Sequence, residues 1–315
     1  MVSLVEMNTP HAAGDPVAAF AAGMADRALF DPDRQMPLPF EAAVDYARCV
    51  MAWACEPTAS NVVIWRDLAY GTHPLQRCNV FAPRGVRQAP VLVFWHGGGW
   101  TNGYRDYVSF MAAHVVRLGC VLVAPSYRLA PQSPMPAAFE DALAVLAYVG
   151  QHASEWGADA CRLYLSGHSA GGHIAALVAL RERDRVRAGV PAAAIRACLP
   201  LSGIMDLYHP APEAGSLEER VYTMLLTDPA EDALWSPLCW AAGNRVPFVL
   251  NCGEADSERV VRSNKRLAAL LIRQDAGVAL SVLPGLDHFQ THTMLRDPYN
   301  AWYQQLAHCL AETAR

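Results

Sequence analysis

The residue best placed for covalent chemistry is Ser169, centred in Gly167-His168-Ser169-Ala170-Gly171. Ahead of it, Cys161-Arg162-Leu163-Tyr164-Leu165-Ser166 alternates like a strand, and behind it Gly172 to Leu180 reads as a helix. A serine on such a strand-to-helix turn is held in a strained backbone conformation, and its flanking glycines let neighbouring chains approach. Its hydroxyl then stands at the carboxyl end of a sheet, with a helix N-terminus behind it favouring negative charge. The chemistry implied is attack on a carbonyl carbon.

Such an attack places charge on the carbonyl oxygen, which preorganised N–H groups about 3 Å away stabilise. Pro90-Val91-Leu92-Val93-Phe94-Trp95 is an apolar strand that runs into His96-Gly97-Gly98-Gly99-Trp100. Three successive glycines free the backbone to turn its amides toward one point. The expected donors are the N–H groups of Gly98, Gly99 and Ala170, the residue after the nucleophile.

A serine hydroxyl needs a base, usually histidine oriented by a carboxylate. After a strand–turn–helix nucleophile the partners follow in the order Asp or Glu, then His. His288 lies in Leu283-Pro284-Gly285-Leu286-Asp287-His288-Phe289, on a loop after the last expected strand. His292 is a turn farther on, and His308 falls inside the final helix. His168 and His173 flank the serine and are expected to aim elsewhere, while His96 braces the glycine loop through its ring. For the acid, Asn251-Cys252-Gly253-Glu254-Ala255-Asp256 offers Asp256, with Glu254 one turn away and Asp206 a third candidate. Asp256 also has the position of a helix cap.

The elements that carry these residues alternate along the chain. Strands are expected at 61–70, 77–81, 90–95, 120–124, 161–166, 195–199, 248–252 and 278–283. Helical patterns cover 107–118, 137–149, 172–180 and 258–272, and Asp297-Pro298 reads as the cap and first position of a last helix. Apolar strands between amphipathic helices predict an α/β fold with a mostly parallel sheet covered on both faces. Residues 1–60 are alanine-rich and broken by prolines at 16, 32, 37 and 39. They form an expected N-terminal helical cap segment, and 61–315 the main domain. An insertion at about 203–245 carries Ser216-Leu217-Glu218-Glu219 and Asp228-Pro229-Ala230-Glu231, both like capping boxes, so at least two helices are expected there. Both pieces should roof the carboxyl ends of the strands, where ligands bind in such sheets.

Composition narrows the classes. Hydrophobic residues make up 53% of the 315 and charged residues 17%, as in a packed globular chain. A net charge of −5 without a basic run gives no support for nucleic-acid binding. The 9 cysteines include no C-x-x-C pair, which argues against a disulfide framework or a zinc site. The longest apolar run, Ala142 to Val149, is too short to cross a bilayer. No basic residue precedes Arg27, so the start lacks the charge of a secretory signal, and a cytoplasmic protein is expected.

Two groups of motifs resemble known families. His96-Gly97-Gly98-Gly99-Trp100, Tyr127-Arg128-Leu129-Ala130-Pro131 and Pro136-Ala137-Ala138 are similar to the hormone-sensitive-lipase-like esterases of the α/β-hydrolase superfamily. That family usually has aspartate before the tyrosine, where this chain has Ser126. Gly167 to His173, Ser202 to Leu207, Ser236-Pro237-Leu238, Asp256-Ser257-Glu258 and Gly285 to Phe289 resemble kynurenine formamidases. The resemblance implies an α/β-hydrolase fold with Ser169, Asp256 and His288 as triad and the same three oxyanion amides. It also implies acyl transfer without metal or organic cofactor.

The expected substrate is a small N-formyl or N-acyl aromatic amine or an aryl ester. A broad short-chain carboxylesterase is the alternative, and a non-catalytic receptor on the same fold the reading from another class. Trp100 is the expected flat wall of the pocket, with Tyr104, Met205 and Tyr208 beside it and Phe20, Phe30 and Phe40 above. The partner is a small acyl compound, with a homodimer left open. Nothing supplies an extended peptide groove.

Overall fold

The computed structural model describes residues 35–312. An eight-stranded sheet organises them: β1 Val62–Ala69, β2 Arg77–Pro83, β3 Ala89–Trp95, β4 Val121–Pro125, β5 Ala158–His168, β6 Ile195–Leu201, β7 Phe248–Gly253 and β8 Val278–Leu283. Their spatial order is β1-β2-β4-β3-β5-β6-β7-β8. β2 runs antiparallel to both neighbours, and every pairing from β4 to β8 is parallel. This is the α/β fold with a mostly parallel sheet that the alternating pattern predicts.

Period-2 geometry explains why the central strands read as unbroken apolar runs. In β3, Val91, Val93 and Trp95 enter one buried cluster while Leu92 and Phe94 enter the other. β4 divides the same way, Val121 and Val123 against Leu122 and Ala124. One face is covered by α3 Ala137–His152, α4 Ala170–Leu180 and α5 Glu258–Leu271. The opposite face carries α1 Glu41–Ala54, α2 Ala112–Arg117 and α6 Ala301–Glu312. A strand buried on both sides has no polar face to show.

Two expectations change. The last helix begins at Ala301, not at Asp297-Pro298. Asp297 instead accepts from the Tyr299 N–H in a turn, and the Asn300 side chain accepts from Trp302. Ser216 and Asp228 of the insertion both act as N-caps, but they start short elements and neither Glu219 nor Glu231 closes the box. Ser216 accepts from the Glu219 N–H at 3.1 Å and opens Leu217–Arg220, which continues as a π-turn through Leu225. Asp228 caps a single 3₁₀ turn, Pro229–Glu231. Among the described residues, no helix is long and apolar enough to cross a membrane, and all nine cysteines are free thiols.

Candidate active site

Ser169 sits between the last residue of β5 and the first of α4 with φ +55° and ψ −119°. A side chain in that left-handed region is strained and persists only where the surroundings hold it. Here they do, because the turn is locked into β3: a Cβ on Gly171 would overlap the Trp95 carbonyl oxygen. The helix can therefore start only with glycine at that point. The serine hydroxyl is left facing a pocket of about 200 Å³.

The histidine and the acid arrive from the last two strands. His288 follows β8, and its Nε2 lies 2.8 Å from Ser169 Oγ. Its Nδ1 lies 2.6 Å from Asp256 Oδ1, on the loop after β7. The other oxygen of Asp256 accepts from Ser202 Oγ at 2.5 Å and from the Gly253 N–H at 3.1 Å. Ser169, His288 and Asp256 thus form one hydrogen-bonded row. Glu254 instead accepts from the Gly285 N–H, and Asp206 pairs with Arg266 at 2.7 Å, so neither reaches the imidazole. The helix-capping task near Asp256 falls to Ser257, whose side chain accepts from Val260 N–H.

After β3 the chain turns through positive φ at Gly98 (+131°), Gly99 (+59°) and Trp100 (+60°). Gly98, Gly99 and Ser169 line the same pocket. Among the described residues, the N–H groups of Gly98, Gly99 and Ala170 have no protein acceptor, and Ala170 opens α4. The loop is braced from behind. The His96 ring stacks on Tyr127, with centroids 4.4 Å apart, and its Nδ1 bonds the Gly97 carbonyl at 2.8 Å. Burial lowers the His96 imidazole to about 4, so it remains neutral.

Trp100 lines the pocket with its ring edge-on to His173. Its indole N–H donates to His173 Nδ1 at 3.2 Å, and His173 Nε2 donates to the Trp235 carbonyl at 2.7 Å. Tyr104, Met205 and Tyr208 are not pocket residues. Tyr104 and Met205 are buried elsewhere, and Tyr208 is exposed to solvent. Phe40 does line the pocket; Phe20 and Phe30 lie outside the described residues. The aromatic lining is Trp100 and Phe40, as expected, joined by Tyr46, Tyr107 and Phe289. Phe289 adjoins His288 in sequence, the one signal that could have found it. Opposite, Glu218 and Arg259 form an ion pair at 3.1 Å across the pocket wall.

His168 departs from its expected orientation. Its ring lies 4.9 Å from that of His288, and its Nε2 donates to the His288 carbonyl at 2.8 Å. His292 stacks behind it and takes a 2.8 Å hydrogen bond from Tyr46 on α1. Burial, with His288 and His292 alongside, holds the His168 imidazole well below its ordinary range. His308 is exposed and pairs with Glu312 at 3.1 Å.

A serine on a strained strand-to-helix turn, in reach of an imidazole at the carboxyl edge of this sheet, defines the α/β-hydrolase class. A family model described as alpha/beta hydrolase fold matches residues 92–289, and the chain belongs to that family. Carboxylesterase NlhH of Mycobacterium tuberculosis is 44% identical over 107 residues, covering 33% of this chain and 34% of that protein. Esterase LipQ of the same organism is 29% identical over 218 residues, covering 64% of this chain and 50% of its own. The chain therefore spans between a third and a half of the length of these curated relatives. The solved structure of EstE1, a thermostable carboxylesterase from a metagenomic library, shares the fold with a TM-score of 0.69. It is 21% identical and covers 87% of this chain and 96% of its own.

Proposed function

We propose that the protein is a serine carboxylesterase for small, preferably aromatic, esters. The observation that carries this reading is the 2.8 Å contact between His288 Nε2 and Ser169 Oγ, with Asp256 behind the ring. Ser169 Oγ attacks the ester carbonyl carbon while His288 Nε2 takes its proton, and Asp256 stabilises the imidazolium. The oxygen becomes an anion facing the amides of Gly98, Gly99 and Ala170. On collapse the C–O bond breaks, and the leaving alcohol departs with the proton from His288. Water then repeats the sequence on the acyl-enzyme and releases the acid. No step in this sequence calls for a metal or organic cofactor.

Substrate preference is assigned to the pocket roof. Leu38, Phe40 and Tyr46 come from the N-terminal segment and Leu217 from the insertion, so both act as a cap over Ser169. Phe40, Trp100, Tyr107 and Phe289 offer rings to a flat acyl or leaving group. Cleavage of an N-formyl or N-acyl aromatic amine is the narrower reading. It draws on this lining and on the motif resemblance, whereas the relatives named above are esterases. The free thiols fit a reducing compartment such as the cytoplasm.

The test is turnover of p-nitrophenyl butyrate beside N-formylkynurenine, with Ser169→Ala as control. Ester hydrolysis that disappears in the variant is expected. Faster formamide than ester cleavage would move the assignment to an amidase. A folded protein that neither turns over esters nor reacts with a fluorophosphonate would mark a receptor.

A further inference from the structure

Asp256 and His288 are joined twice. The direct link is the 2.6 Å contact of Nδ1 with Oδ1. The second runs the other way round: Asp256 Oδ2 to Ser202 Oγ at 2.5 Å, Ser202 Oγ to Thr291 Oγ1 at 2.8 Å, and Thr291 Oγ1 to the His288 carbonyl at 2.8 Å. The contacts close a ring that passes through both the imidazole and the backbone of His288. Ser202, Thr291 and Asp256 are all buried, so no bulk water replaces a missing member.

Counting protons shows what the ring does. Its second link has three oxygen–oxygen contacts but only two hydroxyl hydrogens, since a carboxylate and a carbonyl cannot donate. Ser202 donates to Asp256, which leaves Thr291 to choose between Ser202 and the His288 carbonyl. That carbonyl already receives the His168 Nε2–H at 2.8 Å. With two lone pairs that carbonyl accepts from Thr291 as well, so the one Thr291 hydrogen is shared between it and Ser202 Oγ, while Ser202 donates to the carboxylate.

Ser202 also occupies a costly position. It follows β6 with φ +46°, where glycine would be relaxed, and its N–H is fixed to the Asn251 carbonyl at 2.7 Å. What the side chain adds at that strained position is its hydroxyl, held between Asp256 and Thr291.

We propose that Ser202 and Thr291 are positioning residues that clamp Asp256 by its outer oxygen and set the proton affinity of the Asp256–His288 pair. The kinetic side of this inference rests on the hydrolase reading above; the titration side does not. The titratable groups packed against the pair are His168, His292 behind it, and Cys252. Burial lowers both imidazoles and raises the thiol to about 11, so none of them changes charge near neutrality.

Ser202→Gly removes the hydroxyl and suits the backbone, Ser202→Ala removes it and keeps the strain, and Thr291→Val breaks the next link. Thr291→Ser keeps that link. With active sites counted by fluorophosphonate, Ser202→Gly is expected to lower kcat on p-nitrophenyl butyrate about tenfold or more, with KM within about twofold. The acidic limb of kcat/KM should move to higher pH, because a carboxylate that has lost a donor holds the imidazole proton more tightly. Thr291→Val should move it the same way by less, and Thr291→Ser should restore it. The His288 ring titration followed by NMR reads the same displacement in a protein that turns nothing over. An unmoved His288 titration in Ser202→Gly overturns the proposal even if activity falls, since the loss is then one of packing alone. Absence of ester turnover with the titration displaced would sink the hydrolase reading and leave the clamp standing.

Discussion

His168 holds the backbone of His288: the residue just before Ser169 donates its Nε2–H to the His288 carbonyl at 2.8 Å. The donor therefore fixes the loop that carries the imidazole without touching the reacting atoms. Its ring is neutral through burial, which leaves one nitrogen as donor and the other bare.

His168→Ala is expected to loosen this loop and lower kcat about two- to tenfold, the value of one neutral hydrogen bond of about 0.5–1.5 kcal/mol made to the loop of His288. His168→Asn, which retains a donor, should recover part of it. Equal kcat in His168→Ala and the parent protein, at equal folded fraction, would refute the support role.

Gln35 ties the N-terminal segment to the glycine loop from both ends of its amide. Nε2 donates to the Gly103 carbonyl at 3.0 Å, and Oε1 accepts the Gly103 N–H at 2.9 Å. Asn102 adds a hydrogen bond to the Met36 carbonyl. Gln35→Ala should cost about 1–2 kcal/mol of local stability. Hydrogen exchange should show it as faster opening of the 98–103 backbone, with lower kcat and little change in global Tm. Unchanged exchange there would contradict this anchoring.

Gly171→Ala tests the close approach of α4 to β3. Besides the Trp95 carbonyl, the added carbon would meet the His96 carbonyl oxygen at 2.6 Å. These are backbone atoms at the end of β3 that cannot yield cheaply, so a loss of about 3 kcal/mol is expected. Urea unfolding measures it directly, and a midpoint equal to that of the parent would show that the turn relaxes.

Acid should destabilise the fold through its buried imidazoles. Burial lowers His292 to about 3 and His96 and His173 to about 4, from an ordinary value of 6.5. Between these values the unfolded chain binds protons that the folded one does not. These contributions are therefore complete above about pH 6.5, fall as pH drops toward 4, and for His292 go on falling to about pH 3. Urea midpoints from pH 7 to 4.5 should decline accordingly, and His292→Phe should make the decline shallower. A flat profile over this range would contradict neutral burial.

Much of the fold was legible because its signals are periodic and local. Val91 to Trp95 are apolar at every position, which only a strand covered on both faces tolerates. Proline after Asp297 looked like a helix start, yet Asn300 supplies the competing cap three residues later. In the candidate site, the order of Ser169, Asp256 and His288 along the chain follows the order of β5, β7 and β8 across the sheet, so topology made it readable. The choice among Asp256, Glu254 and Asp206 depends on where each side chain turns within a loop, which no periodic pattern encodes. The pocket's aromatic wall depends on how residues 38–47 dock, a long-range contact. Ser202 stood out only as part of a motif, because neither its positive φ nor its contact with Asp256 has a signature in sequence.

The segment from Gln35 to Tyr46 touches the glycine loop at one end and, through the Tyr46–His292 hydrogen bond, the histidine loop at the other. Two loops of the candidate site, separated by most of the chain's length, thus share a single belt. During refolding the sheet can assemble before that belt is fastened, and ester turnover should then reappear later than the recovery of tryptophan burial. Enzymatic rate would serve as a clock for the last docking event rather than for formation of the core.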